Sequence, residues 1–199
     1  SYLMIIVDTI HFIILANGEL LSNYLAIEDT KFDFMKCLAE FFIESEKGVL
    51  IEVSQFLANK FGKQALLSKT NIHKYFNKDT LPFLARYKGE IIGYIIGVPL
   101  EHFKQDAWSH FDVNLGQKNT LYTYAFVMKD KFRSKGGYSK TLKRIYINWA
   151  KKRGKYKYIT GHVQQGISKK FSVKAEVVKI FPLWYGVKSP FEYYRRPLI

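Results

Sequence analysis

The sequence predicts a mixed α/β fold, a sheet with helices packed on it, and three stretches carry that prediction. In the first, an apolar strand from Leu121 to Met128 runs into a basic glycine loop, Arg133-Ser134-Lys135-Gly136-Gly137-Tyr138-Ser139, and then into an amphipathic helix that stops at Gly154. In the second, Leu81 to Tyr87 and Glu90 to Val98 are rich in Ile and Tyr and meet at Lys88-Gly89, which is a hairpin signal. In the third, Tyr156 to Val163 reads as a strand, Gly166 to Ser172 as a short helix, and Ala175 to Phe181 with Phe191 to Pro197 as a closing pair of strands.

The helix after the glycine loop is defined by its spacing. Leu142, Ile145, Tyr146 and Trp149 fall at i, i+3, i+4 and i+7 and form a core-facing seam, while Lys140, Lys143, Arg144, Lys151 and Lys152 occupy other faces. Lys151-Lys152-Arg153 suits the negative pole of a last turn, and Gly154 suits the position that ends it. At the other end, glycines let the backbone approach an anion closely, and the first amides of a helix have no acceptor inside it. Strand, glycine loop and helix together make a phosphate-binding arrangement.

Spacing restricts the ligand. Neither G-x-x-x-x-G-K-[ST] nor G-x-G-x-x-G occurs in the chain, so the mononucleotide P-loop and the dinucleotide fingerprint are both absent. The loop resembles the GNAT superfamily of acyl-CoA-dependent N-acyltransferases, whose signature is [QR]-x-x-G-x-[GA] between the central strand and the next helix. Arg133-x-x-Gly136-Gly137-Tyr138 matches it except at the last position. An alternative alignment, preferred for the helix length it gives, sets the family's Gly-x-Gly on Gly137-Tyr138-Ser139. The order of the remaining strands, and the tail Trp184-Tyr185-Gly186 followed by Tyr193-Tyr194-Arg195-Arg196-Pro197-Leu198, extend the resemblance over residues 41 to 198.

The resemblance implies a GNAT-like acyl-CoA N-acyltransferase fold. Its central sheet is mixed and largely antiparallel, its central strands splay apart, Tyr156 to Val163 is a parallel strand, and helices flank the sheet. The implied cofactor is acetyl-CoA, its pantetheine arm on the backbone of Phe126, Val127 and Met128 and its pyrophosphate at Arg133, Ser134, Lys135, Gly136, Gly137, Tyr138 and Ser139. The implied reaction is N-acetylation of an amine, which requires a neutral nucleophile, donors for the tetrahedral oxyanion and a proton for the leaving thiolate. Many family members supply that proton from a tyrosine on the short helix after the parallel strand. Here Gly166 to Ser172 contains no tyrosine, and Lys170 or Phe171 stands in that neighbourhood. The catalytic candidates are therefore His162 near the end of its strand, Tyr122 and Tyr124 alternating on the cofactor strand, and Tyr185 between the last two strands. Each has a plain alternative: a structural histidine, strand packing, or a hydrophobic corner beside Trp184. Gln164 and Gln165 either orient an acceptor or cap the short helix.

Composition sets the remaining bounds. At 199 residues and 48% hydrophobic, the chain is long enough for one substantial core. Residues 41–199 are read as the acyltransferase domain and 1–40 as an extension packed on it, with Phe32, Phe34, Met35, Leu38, Phe41 and Phe42 forming a helix face or an interface. Cys37 stands alone, no His or Cys-His spacing suggests a metal, and the expected compartment is the cytoplasm. The apolar stretch Tyr2 to Ala16 is interrupted by Asp8 and His11 and is shorter than the roughly 20 residues of a spanning helix, so a strand or hairpin on the core is expected rather than a membrane anchor. The polar stretch Glu101 to Asn119 carries Trp108, Phe111 and Leu115, and is either a cover for the acceptor site or a surface excursion.

The net charge of +14 is regional: Lys131 to Ala175 holds 14 basic residues and no acidic one. A solvated lysine face, steering of CoA or an acidic substrate, and nucleic acid binding with Tyr138, Tyr146, Tyr156 and Tyr158 as stacking groups are the three readings. Catalytically silent CoA or protein binding on the same fold is a further alternative. The partners expected are acetyl-CoA and an amine acceptor, with the chain a monomer or homodimer. Like-charge repulsion from Lys169, Lys170, Lys174, Arg195 and Arg196 is expected to disfavour polyamines as acceptors.

Overall fold

The computed structural model describes residues 5–7, 10–14, 54–55, 58–59, 63, 72–75, 79–87, 90–133, 137–187 and 189–198. The expected helix face between Phe32 and Phe42 and the Lys88-Gly89 turn lie outside them. The chain forms two compact units, one of Ser1–Ile96 with Ala125–Tyr146 and the other of Gly97–Tyr124 with Ile147–Ile199.

In the first unit β1 (Ile5–Val7) and β2 (Ile10–Ile14) pair antiparallel, and β2 runs parallel to β3 (Leu81–Tyr87), with His11 opposite Phe83 and Ile14 opposite Arg86. The apolar stretch Tyr2 to Ala16 thus supplies two strands. A one-turn helix, α1 (Ile72–Tyr75), precedes β3. Next in the sheet come β4 (Glu90–Pro99) and then the second half of β5 (Thr120–Met128). Every β4 side chain from Ile91 to Ile96 is covered, which explains its unbroken apolar run: a strand buried on both faces shows no alternation. Gly93 is needed there, because a Cβ would sit 2.7 Å from both Met128 Sδ and the Val127 carbonyl oxygen.

Helix α2 (Asp130–Arg133) follows β5, and α3 (Tyr138–Lys152) follows that. The expected seam of α3 is rotated slightly. Leu142, Tyr146 and Ala150 are buried at i, i+4 and i+8, and Ile145 and Trp149 are half-buried beside them. Tyr146 meets Phe83 edge-on, ring centres 6.3 Å apart, and burying each large side chain of this kind contributes about 1.5–3 kcal/mol. Gly154 ends the helix as expected, at φ +64°.

In the second unit β5 pairs in parallel with β6 (Tyr158–Gln164) over four residues, Thr120–Thr123 against Tyr158–Gly161. The antiparallel ladder of β6 with β8 (Phe191–Pro197) covers all seven residues of β6, from Tyr158 opposite Pro197 to Gln164 opposite Phe191. β7 (Glu176–Phe181) lies outside β8, with a bulge between Val177 and Lys179. The expected short helix shrinks to a 3-10 turn, Ser168–Lys170, because the chain must first reverse at Gly166, φ +84°. The stretch Glu101 to Asn119 is folded: it holds most of a 3-10 helix at Leu100–Phe103, a second at Ala107–Phe111, and a run of turns closed by amide bonds such as Leu115 to the Asp112 carbonyl.

Candidate active site

The glycine loop lies in the first unit. Gly137 has φ +68°, a left-handed conformation that disfavours any side chain, and it hands the chain to α3. Among the described residues, a backbone bond across that turn runs from the Thr141 amide to the Gly137 carbonyl, which opens the helical ladder of α3. The Ser139 hydroxyl donates to the Arg133 carbonyl at 3.1 Å, and Phe132 meets Tyr138 edge-on at 5.4 Å. No acidic residue stands in the first turn of α3, which keeps its positive pole available to an anion. Arg133, expected to face phosphate, pairs with Asp130 at 2.7 Å with both side chains largely exposed. Ser134, Lys135 and Gly136 lie outside the described residues. On β5, Phe126 is half-buried while Val127 and Met128 are buried.

The catalytic candidates lie in the second unit, and strand pairing explains which of them meet. Tyr122 opposes Thr160 across the parallel ladder, His162 lies two residues further along the same face of β6, and Tyr193 opposes His162 across the antiparallel ladder. Tyr122 Oη and His162 Nδ1 are 3.0 Å apart. Around the imidazole stand Trp184, stacked at 3.5 Å and 17°, Trp108 edge-on at 4.9 Å, Tyr193 at 4.9 Å and Phe181 at 5.4 Å. Burial in this cage lowers the His162 pKa from 6.5 to about 2, so the ring is neutral at physiological pH and a poor proton acceptor. Its Nε2 is buried without a hydrogen-bond partner. Burial, followed by the neighbouring tyrosines, pushes the Tyr122 phenol well above its ordinary range.

Tyr124 is half-buried and stacks on Phe103 at 6.3 Å, away from the histidine cage. Tyr185 is 57% exposed and sits at φ +46° beside Gly186 at φ +80°, the two centres of a tight turn bridged by Trp184 and Val187. Two left-handed residues in a row match the hairpin turn whose twist suits antiparallel strands. The structure thus brings His162 and Tyr122 into direct contact, while Tyr124 and Tyr185 stand near enough to raise the Tyr122 pKa and Tyr185 meets Trp184 at 4.8 Å.

The neighbours of this pair include two buried acids, Asp112 and Glu192, that carried no signal in the sequence. Trp108 packs on Tyr122 at 4.8 Å as well as on His162. Asp112, buried, accepts from the Tyr193 hydroxyl at 2.8 Å, from Arg195 Nη1 at 2.8 Å and from the Asn114 amide at 2.9 Å. Arg195 also reaches Glu176 at 3.0 Å. Burial alone would lower the arginine's pKa, but Asp112 and Glu176 outweigh it and hold the guanidinium charged. Glu192, buried, accepts from the amides of Gly166 at 3.0 Å and Ser168 at 2.7 Å and fixes the turn after β6. Burial opposes its ionisation, yet hydrogen bonds from Ser168 and the Gly166 and Ile167 amides win and lower its pKa. The signal that finds these residues is cross-strand register, which a single sequence does not display.

The charges expected to repel a cationic acceptor are partly spoken for. Arg195 is paired twice, Lys169 Nζ donates to the Ala175 carbonyl at 2.5 Å, and Arg196 Nη1 reaches the Phe171 carbonyl at 3.4 Å. Of the proposed stacking tyrosines, Tyr146 and Tyr156 are buried and unavailable to bases.

The profile described as the Acetyltransferase (GNAT) family matches residues 50–171, over half the chain. The chain belongs to the GNAT acetyltransferase family. No curated protein sequence matches it. Among solved structures, this GNAT chain is similar to an N-acyl amino acid synthase from uncultured soil microbes, with a TM-score of 0.56 and 9% identity over 78% of this chain and 92% of that one. It is also similar to an aminoglycoside 6'-N-acetyltransferase complexed with coenzyme A, with a TM-score of 0.52 and 12% identity over 75% of this chain and 91% of the other. A third is the ribosomal-protein-S18-alanine N-acetyltransferase from Escherichia coli, with a TM-score of 0.50 and 12% identity over 75% and 87% of the two chains. At these identities the likeness carries the fold, and the mixed sheet with its central glycine turn and helix is the GNAT fold.

Proposed function

We propose that the chain is an acetyl-CoA-dependent N-acetyltransferase acting on a primary amine. The observation that carries this reading is the start of α3, where left-handed Gly137 leads into a helix with no acidic residue in its first turn, in a chain of the GNAT family. The matched structure that holds coenzyme A supports the same ligand class. In this reading the diphosphate lies at Arg133 to Ser139 and the pantetheine arm on the backbone of Phe126 to Met128. A helix terminus contributes about 0.3–1 kcal/mol, up to about 2 in favourable geometry. Micromolar affinity requires about 8 kcal/mol, so direct amide bonds and pantetheine contacts supply most of it.

The chemistry is attack of a neutral amine on the thioester carbonyl, loss of the ammonium proton, and departure of a thiolate that must be protonated. An alkyl amine of pKa about 10.4 loses roughly 4 kcal/mol to deprotonation near pH 7.4, whereas a peptide α-amine of pKa about 8 loses under about 1. His162 is held neutral and weakly basic, and Tyr122 is held as the phenol. That pair does not suit an alkyl amine that needs a strong base. It suits an acceptor whose amine is neutral in a substantial fraction, about a fifth for an α-amino compound near pH 7.4, with Tyr122, Tyr124 and Tyr185 the phenols nominated to protonate the thiolate.

Calorimetric titration of the full chain with acetyl-CoA tests the cofactor. Saturation in the micromolar range is expected, and none there removes the reading. Thiol release with an amine panel then tests turnover, and tight acetyl-CoA binding without thiol release from any amine leaves a silent CoA-binding domain.

A further inference from the structure

The hydrogen between Tyr122 and His162 has two possible owners, and chemistry decides between them. A phenol of pKa about 10 is a stronger donor than a neutral imidazole N–H, and an imidazole nitrogen is a stronger acceptor than a phenol oxygen. Tyr122 therefore donates to Nδ1 across 3.0 Å. A neutral imidazole carries one hydrogen, so it sits on Nε2, the atom that is buried with no partner. The groups facing the ring are Tyr122 from β5, Trp108 from its 3-10 helix, Phe181 from β7, Trp184 from the turn and Tyr193 from β8. None is a carboxylate or a cation, and the nearest acid in this network, Asp112, is already engaged by Tyr193 and Arg195. An N–H donor in such surroundings, buried and unanswered, is a binding group for an uncharged oxygen.

We propose that His162 Nε2–H is a substrate-binding donor for the carbonyl oxygen of an α-amino carbonyl acceptor bearing an apolar or aromatic side chain, with Trp108, Phe181 and Trp184 selecting that side chain. This rests on the acetyltransferase reading and narrows its acceptor class. A carboxylate or a polyamine in the same place would bury a charge among aromatic rings with no partner, which is costly. The Trp184 turn is the exposed side of this cage, with Leu183 and Tyr185 exposed on either side of Trp184.

The test uses the full chain, with phenylalaninamide as the carbonyl-bearing probe and phenethylamine as its counterpart lacking the carbonyl. The kcat/KM ratio of the first to the second is measured in the wild type, in His162→Gln, whose side-chain amide can place an N–H near the Nε2 position, and in His162→Leu. The ratio is expected to fall about three- to tenfold in His162→Leu and to be largely kept in His162→Gln. Comparing ratios between variants cancels the intrinsic reactivity of the two amines. An unchanged ratio in His162→Leu overturns the proposal. If the variants do not fold, long-range proton–nitrogen correlation on the wild type decides. The Nε2–H tautomer is expected from pH 5 to 8, with the Nε2–H signal shifting as phenylalaninamide is added. An Nδ1–H tautomer, a titration near 6.5, or no shift on addition overturns it. Absence of thiol release with an intact Nε2–H response separates failure of the acetyltransferase reading from failure of this one.

Discussion

Replacing Asp112 by Asn tests whether the stretch before β5 is anchored as the structure implies. The carboxylate is buried and accepts three hydrogen bonds, two of them bridging more than 80 residues of chain to Tyr193 and Arg195 in β8. The Arg195 side chain is itself 13% exposed, so its charge has little water to turn to, although Glu176, 63% exposed, remains beside it. Breaking a buried pair by removing one charge costs about 3–5 kcal/mol. The residual Glu176 contact and the oxygen that Asn retains bring the expected loss to about 2–4 kcal/mol. For a chain of this size each kcal/mol moves the melting temperature by roughly 2–4 °C, so calorimetry should show a drop of about 4–16 °C.

The same reasoning predicts strong coupling. Tyr193→Phe removes one donor to the carboxylate and should cost about 1.5–3 kcal/mol alone, but much less in the Asp112→Asn background, where its acceptor is already altered. Urea midpoints for the two single variants and the double variant measure the difference. A melting point within about 2 °C of wild type for Asp112→Asn, or additive losses in the cycle, would refute the anchor.

Gly137→Ala should weaken acetyl-CoA binding by calorimetry and cost about 1–2 kcal/mol of stability, because the left-handed turn resists a side chain; unchanged affinity argues against the loop as the diphosphate site. Glu192 has a lowered folded pKa, so its stabilisation is present above the unfolded value of about 4.5 and disappears as pH falls through the folded one; Glu192→Gln should flatten the acid limb of a stability profile below about 4.5. His162 is neutral in the fold and protonated in the unfolded chain below about 6.5, so stability should fall by up to about 1.4 kcal/mol per pH unit from there downward, and His162→Phe should remove that slope. Urea titrations between about pH 7 and 2.5 check both.

What the sequence made legible was local. The strand at 121–128, the helix after the glycine loop, its apolar seam and the stop at Gly154 each follow from spacing within a few residues, and all four are found within a residue or two of where they were expected. What it concealed was pairing over distance. Asp112 reads as one more polar residue in a charged stretch, and Arg195 as one more cation near the acceptor, until the register of β6 with β8 sets both beside Tyr193. His162 was legible as a candidate but not in its role. Its position near a strand end suggested a base, and burial among the five rings around it lowers its pKa far below the range a base needs.

That reversal bears on the surplus of positive charge. A region with 14 basic residues and no acidic one invites an electrostatic account of substrate choice, in which cations are repelled and acids attracted. Yet the rings around His162 are uncharged, the Arg195 guanidinium is paired with Asp112 and Glu176, and Lys169 is bound to a backbone carbonyl. If the acceptor binds at His162 as proposed, selection there would be set by desolvation rather than by long-range attraction, and the two respond differently to salt. Screening shrinks to about 3 Å at 1 M ionic strength, which would erase a preference built on exposed lysines. A preference for phenylalaninamide over spermidine that survives at 1 M salt marks the aromatic cage as its source, and one that collapses there returns the selection to the lysines.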